Sequence, residues 1–247
     1  MNHALSQVNN SPVLQRLTVA VPVYNELATL AEIHKRILAV PVVGQVLYVD
    51  DGSTDGSREY LRDVITGSDH RVEVLYQDKN MGKGAAIMTA ITRATGDVFI
   101  VQDADLEYDP SDYVHLVAAF DDHQINVVYG SRFIERVCPT NMRWTNWLAN
   151  RILTGATNIL IPGAAITDEA TCYKMFRTDL LKNIPLNARR FDFCPEITMK
   201  ILRRGVKIHE RPVSYTARTE AQGKKIKWTD AFDAFIALIR YRFSKSF

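Results

Sequence analysis

The sequence predicts an α/β fold, with a mostly parallel central sheet flanked by helices in a single domain. Three observations predict it. In the first half of the chain, short runs rich in β-branched residues alternate with amphipathic stretches. The runs are apolar almost throughout rather than at every second position, as strands covered on both faces are. Each run also leads directly into a polar cluster, which places those residues at the carboxyl edge of the sheet, where open α/β sheets bind ligands.

The elements follow in order. Leu17–Val23 is the first strand, and residues 46–50, 72–77, 98–102 and 127–129 are the next four. Residues 27–40, 56–65, 84–95 and 111–120 are the intervening helices, with Asp55 and Ser111 as starts and Gly67 and Gly96 as stops. Beyond residue 135 the rhythm changes. Residues 143–161 read as a long helix closed by Pro162 and Gly163, residues 171–177 as a strand, and residues 194–204 as a helix stopped by Gly205. Residues 206–215 are extended and residues 229–243 form a final amphipathic helix. Residues 1–16 are polar and expected to be a flexible tail ahead of one domain at 17–247.

Composition narrows the function classes. The 247 residues are 47% hydrophobic and 23% charged, ordinary for a soluble enzyme. A net charge of +2 is too small to point to nucleic acid as a partner. Cys138, Cys172 and Cys194 form no CxxC pair and are expected to be reduced, buried or half-buried thiols of a cytoplasmic protein. The start of the chain has no signal-peptide core, and no run approaches the ~18 apolar residues of a membrane span. The expected location is the cytoplasm, or its membrane surface. The six histidines include no close pair, which argues against zinc.

The polar clusters carry the chemistry. Asp103 and Asp105 end the run 98–102 one residue apart. In an extended chain both would point the same way, and oxygen ligands suit Mg²⁺ or Mn²⁺. A polar strand end entering a turn gives the same pattern. Asp50 and Asp51 precede Gly52, Ser53, Thr54, Asp55 and Gly56. Their carboxylates could accept hydrogen bonds from a nucleobase or ribose, while a tight turn capped by Asp55 explains the glycine and Asp55 but not two adjacent acids. Pro22, Tyr24 and Glu26 stand where a dinucleotide-binding fold would carry GxGxxG, so NAD and FAD are disfavoured. Lys83, inside Asn80-Met81-Gly82-Lys83-Gly84, could approach a phosphate, or the glycines could simply close a loop before a helix.

Taken together, VPVYNE, VDDGSTDGS, NMGKGAA and DADLEYDP resemble the family 2 glycosyltransferases of the GT-A fold, strongly over residues 19–132. The match is weaker through TCYKMFRTDLL, FDFCPEITMKILRRG and GKKIKW. Within the family the chain looks most like the polyprenyl-phosphate (dolichyl-phosphate) mannose or glucose synthases. The resemblance implies a Rossmann-like sheet with a nucleotide-sugar-binding half at 17–134 and an acceptor-binding half at 135–247. It implies that Pro22, Tyr24 and Glu26 hold the nucleotide, that Asp51 reads base or ribose, and that Asp103 and Asp105 hold the cation bridging the diphosphate. Arg132 is then expected near a phosphate. Arg218 and the 223–225 segment, with Lys225, resemble a loop closing over donor and acceptor, although a solvated basic loop has the same composition.

The implied reaction is inverting transfer of a hexose from a UDP- or GDP-sugar. A lipid-phosphate acceptor is already anionic and needs no general base, whereas a saccharide hydroxyl does. Asp192 and Glu196 are the base candidates, with helix capping as the alternative, and Asp168-Glu169 is a second acidic pair with the same ambiguity. The aromatic and basic residues of 143–161 and 229–243 suit a membrane surface, and core packing predicts nearly the same pattern. A saccharide-transferring enzyme of the cell envelope, a sugar-phosphate nucleotidyltransferase and an inactive binding module are the competing readings. The intact Asp103 and Asp105 argue against the last, and the missing glycine-rich loop near the N-terminus against the nucleotidyltransferase.

Overall fold

The structure, a computed structural model, describes residues 16–135, 138–139, 141–190, 192–218 and 228–244. All but the last residue of the expected N-terminal tail therefore lies outside the described residues.

Seven strands form one sheet: β1 (Leu17–Val23), β2 (Val43–Asp50), β3 (Val72–Tyr76), β4 (Val98–Val101), β5 (Val127–Ser131), β6 (Lys174–Arg177) and β7 (His209–Pro212), in the order β3-β2-β1-β4-β6-β5-β7. All pairings are parallel except those of β6, which runs antiparallel between β4 and β5. β5 thus keeps the direction of β4, and the carboxyl ends of β1, β2, β4 and β5 share one edge.

The helices are α1 (Leu27–Leu38), α2 (Ser57–Tyr60) continued by a π-helical turn at Leu61–Ile65, α3 (Lys83–Arg93) and α4 (Tyr113–Ala118) between short 3₁₀ turns. The second half adds α5 (Trp144–Leu160), α6 (Thr178–Lys182), α7 (Phe193–Arg203) and α8 (Trp228–Phe243). The strand pleat divides two cores between the faces of the sheet. Val19, Val21 and Val23 pack with Leu30, Ile33 and Ile37 of α1 and Tyr113 and Leu116 of α4. Ala20, Leu47 and Val49 face the other way, onto Ile87 and Ile91 of α3 and Ile197 and Ile201 of α7. Each such aliphatic side chain contributes roughly 1.5–3 kcal/mol on burial. A third, smaller cluster joins Leu153 of α5, Met199 of α7 and Ala237, Leu238 and Tyr241 of α8.

Two helix boundaries differ from expectation. The first 3₁₀ turn at Pro110–Asp112 is capped by Asp109, whose carboxylate accepts from Ser111 N, so Ser111 is not the start. Asp55 does accept from Ser57 N, but Gly56 (φ 96°) occupies the cap position, where a left-handed backbone favours glycine.

Candidate active site

The first two strand ends are stitched together. Asp51 N donates to Val23 O (2.8 Å), Asn25 N to the Ser53 hydroxyl (3.0 Å), and Thr54 N to Asn25 Oδ1 (2.8 Å). Asn25 sits at φ 54°, which asparagine tolerates better than most residues. Its turn lifts the exposed Tyr24 and aims Glu26 back at the sheet edge. Pro22 is the penultimate residue of β1, opposite Val49.

The acidic pair after β2 has structural work on both sides. Asp50 is fully buried, accepts from Ser53 N and lies 3.2 Å from the Arg58 guanidinium. Asp51 accepts from Met81 N (2.7 Å) and Gly82 N (2.9 Å), binding the 78–83 turn to the second strand. Burial raises its carboxyl against those two hydrogen bonds.

The glycines of that turn answer to packing rather than to a phosphate. A Cβ on Gly82 (φ 98°) would lie 2.3 Å from Arg189 O, and one on Gly84 2.9 Å from the Ala188 carbonyl carbon. At the start of α3, Gly84 N and Ala85 N are already taken by Arg190 O and Arg189 O, both at 3.1 Å.

The carboxylates after β4 form the centre of the site. Asp103 and Asp105 do not lie on an extended strand, since β4 ends at Val101 and the chain turns, with Leu106 at φ 61°. That is a strained conformation for a bulky residue, and such strain is concentrated at functional sites. The turn brings Glu107 back beside Asp105. Lys83 Nζ stands 2.5 Å from Asp103 Oδ1. The Arg218 guanidinium reaches Glu26 and Asp105, both at 3.1 Å, and comes within 4.0 Å of Glu107. Burial pushes the Asp105 carboxyl up to about 7, reinforced by Asp103 and Glu107 and opposed by Arg218. Burial acts upward on Asp103 too, but Lys83 overcomes it and holds Asp103 below the ordinary carboxylate range. Beneath, Gln102 donates to Asp103 O (2.9 Å) while its carbonyl oxygen accepts from the Tyr113 and Tyr173 hydroxyls.

Further residues sit apart from this cage. Arg132, at the end of β5, is buried and paired at 2.7 Å through both Nε and Nη2 with Asp168. Its guanidinium also lies over the Tyr215 ring at 5.0 Å, and Tyr215 donates to Glu107 at 2.7 Å. Arg132, Asp112, His115, Ser214 and Tyr215 line a cavity of about 410 Å³. Two of the base candidates are otherwise engaged. Glu196 is fully buried, accepts from Asn187 N and Ala188 N, and pairs with Lys200 at 2.7 Å. A general-base role for Glu196 is therefore corrected, because its carboxylate ties the 187–188 turn to α7 and meets no solvent. Asp192 Oδ1 accepts from Arg189 N and Arg190 N, so it braces the segment packed on Gly82 rather than capping α7. Lys225 lies outside the described residues.

Residues 18–184 match the family model described as glycosyl transferase family 2. The chain belongs to that family. It is 30% identical over 215 residues to the undecaprenyl-phosphate 4-deoxy-4-formamido-L-arabinose transferase of Edwardsiella ictaluri, covering 85% of this chain and 63% of that protein. It is 28% identical over 211 residues to the polyprenol monophosphomannose synthase of Mycolicibacterium smegmatis, covering 83% and 78%. Among solved structures, it superimposes with a TM-score of 0.69 on glucosyl-3-phosphoglycerate synthase from Mycobacterium tuberculosis in complex with Mn²⁺, UDP-glucose and phosphoglyceric acid. That likeness covers 92% of this chain and 80% of the other at 16% identity, and shows the shared GT-A fold.

In this family 2 transferase the donor set fits a hard divalent cation. Asp103 and Asp105 offer only oxygen, and no group of three or more His, Cys, Asp or Glu among the described residues encloses an ion. Mg²⁺ and Mn²⁺ commonly use one or two carboxylates and take the remaining ligands from phosphate and water. Burial is the main cause of the raised Asp105 carboxyl, and the neighbouring Asp103 and Glu107 add negative charge that a cation would offset. Glu107 and the partner of Asp168, both important to this geometry, are not legible in the sequence. Glu107 holds the Arg218 backbone at 2.8 Å and Tyr215, and only its spacing of two from Asp105 hinted at it. Asp168 was visible as an acid, but its pairing with Arg132 spans 36 residues and leaves no local signal.

Proposed function

We propose that this family 2 glycosyltransferase transfers a hexose from a UDP- or GDP-sugar to polyprenyl phosphate, inverting the anomeric centre. The observation that carries the donor half is the caging of Asp103 and Asp105 between Lys83 and Arg218 at the sheet edge where the nucleotide-binding loops meet. In this proposal the exposed Tyr24 stacks on the base and Glu26 meets the ribose, with Asp51 beside it bracing the 78–83 turn through Met81 N and Gly82 N. On the same reading, residues 17–134 are the donor half and residues 135–247 the acceptor half, with the cavity lined by Arg132 and Tyr215 on the acceptor side.

In the reaction, an acceptor phosphate oxygen attacks the anomeric carbon as the bond to the donor's terminal phosphate breaks. The electron pair leaves on the nucleoside diphosphate, and no proton moves. Lys83 and Arg218 answer the charge that develops on the departing diphosphate. Asp103 and Asp105 would hold Mg²⁺ or Mn²⁺, which supplies Lewis-acid stabilisation of that same charge when bound.

The choice of a lipid phosphate over a saccharide hydroxyl rests on the commitments of Asp192 and Glu196. Both accept backbone N–H groups, and Glu196 is ion-paired as well, which suits an acceptor that arrives already anionic. The named relatives, one an undecaprenyl-phosphate transferase and the other a polyprenol monophosphomannose synthase, support the same choice. The test is incubation with Mn²⁺ and a panel of UDP- and GDP-hexoses, with and without a short polyprenyl phosphate. Product only with the lipid supports the proposal. Transfer to saccharides alone would overturn it.

A further inference from the structure

The third core cluster leaves one face of α5 unburied. Trp144, Leu148, Ile152 and Ile159 are 71%, 41%, 57% and 81% exposed. At 3.6 residues per turn they fall within an arc of about 80°. Leu153, Thr154 and Thr157, the buried residues of the helix, occupy the opposite side. α8, packed beside α5 through Leu153, Ala237, Leu238 and Tyr241, repeats the pattern. Its Ile236, Ile239 and Phe243 are exposed within about 60° of one another.

Charge distinguishes the α5 segment, whereas α8 carries Asp230 and Asp233 as well as Arg240 and Arg242. The sequence contains 28 acidic residues, yet none falls between Glu135 and Asp168, where Arg136, Arg143 and Arg151 do. Arg240, exposed on α8, adds a cation beside the second stripe. A narrow convex apolar stripe with a tryptophan at one end and arginines along an acid-free segment is the pattern of a helix lying in the headgroup region of an anionic bilayer. No helix among the described residues is long and apolar enough to cross a membrane. The helix is also fixed to the acceptor side of the site. Arg151 lies over the Phe133 ring at 5.9 Å, next to Arg132, and Glu169 N donates to Thr154 Oγ1 at 3.0 Å, next to Asp168.

We infer that the α5 stripe, flanked by that of α8, docks this protein on an anionic lipid bilayer with the Arg132 side of the site turned toward the lipid surface. The inference deepens the polyprenyl-phosphate reading, because a lipid acceptor with a long hydrocarbon chain stays in the bilayer and its phosphate must be met there.

Co-sedimentation with vesicles of phosphatidylglycerol and phosphatidylethanolamine tests it on the full chain. Wild type should pellet with these vesicles and much less with pure phosphatidylcholine. Leu148→Gln/Ile152→Gln should lower partitioning at least about tenfold, as expected for two aliphatic side chains withdrawn from the interface. Ile159→Glu should weaken it independently, and circular dichroism and Tm should match wild type in both. Wild type left in the supernatant, variants that pellet like wild type, or variants that convert a dimer to a monomer without changing lipid binding would each overturn the inference. Transfer to a short, water-dispersed polyprenyl phosphate without vesicles reads the enzymatic proposal separately, and both variants should retain it.

Discussion

Arg218 is the residue that holds the acidic cage together. Its guanidinium is the cation shared by Glu26 and Asp105, with Glu107 behind them, and its backbone is held by Glu107. An ion bound at Asp105 must share or take over that position. Arg218→Ala should destabilise the protein by about 1–3 kcal/mol, because half-buried carboxylates lose their charge-assisted hydrogen bonds. Millimolar Mn²⁺ should raise its Tm more than that of wild type, as the ion replaces the missing cation. Equal shifts in thermal melts of the two proteins would show that residue and ion do not compete. Glu169 sets a second expectation. It is fully buried, both its oxygens lack hydrogen-bond partners, Lys174 Nζ is 4.0 Å away, and burial pushes it up to about 7. The folded state therefore favours the protonated carboxyl, whose stabilising effect is full below the ordinary value of 4.5 and is lost as pH rises through about 7. Urea midpoints at pH 5.5 and 8 should show this loss, on the order of 2 kcal/mol, in wild type and a smaller one in Glu169→Gln. A variant with an unchanged difference would place the titration elsewhere. At this scale, the residues legible in the sequence were those whose neighbours in the chain share their task, such as Asp103 and Asp105. Glu107, Asp168 and the true partners of Glu196 act through contacts distant in sequence, and no local pattern records them.

At the scale of elements, β1 was legible to the residue and the next four strands to within a few, because covered parallel strands are unbroken apolar runs and their polar ends are abrupt. The antiparallel insertion of β6 was not legible, since a strand's sequence does not state its direction. The expected strand at 171–177 begins only at Lys174, because Thr171 and Cys172 are spent on contacts to Gly130 O and Tyr108. The amphipathic pattern of α5 fitted a core helix or a surface helix equally, and only its neighbours decide that three residues face inward. By sequence the turn before α3 fits a phosphate loop or a closing turn, and its Gly82 and Gly84 pack against residues 188–190. Gly82→Ala should accordingly cost at least about 2 kcal/mol, since the added methyl meets a backbone carbonyl at a positive φ. It should also loosen Asp51, which accepts from that turn. Chemical denaturation measures the first effect, and a variant as stable as wild type would mean the 188–190 segment moves aside freely.

For the molecule as a whole, the sheet separates two cores, and the ends of β1 and β4 bring Glu26, Asp103, Asp105 and Glu107 into a cage of acids held by Lys83 and Arg218. Strain at Leu106, the raised carboxyl of Asp105 and the bracing by Asp51 are all concentrated at that edge. The central claim is that this edge binds a sugar nucleotide's diphosphate through a divalent cation on Asp103 and Asp105. Calorimetric titration with UDP, GDP and their hexose conjugates tests it most directly, run with Mn²⁺ and again with chelator, on wild type and on Asp105→Asn. Uptake of one nucleotide class should require Mn²⁺ and disappear in Asp105→Asn, while Tm stays within a few degrees of wild type. Nucleotide uptake that is equally strong with chelator present, or unchanged in the variant, would contradict it.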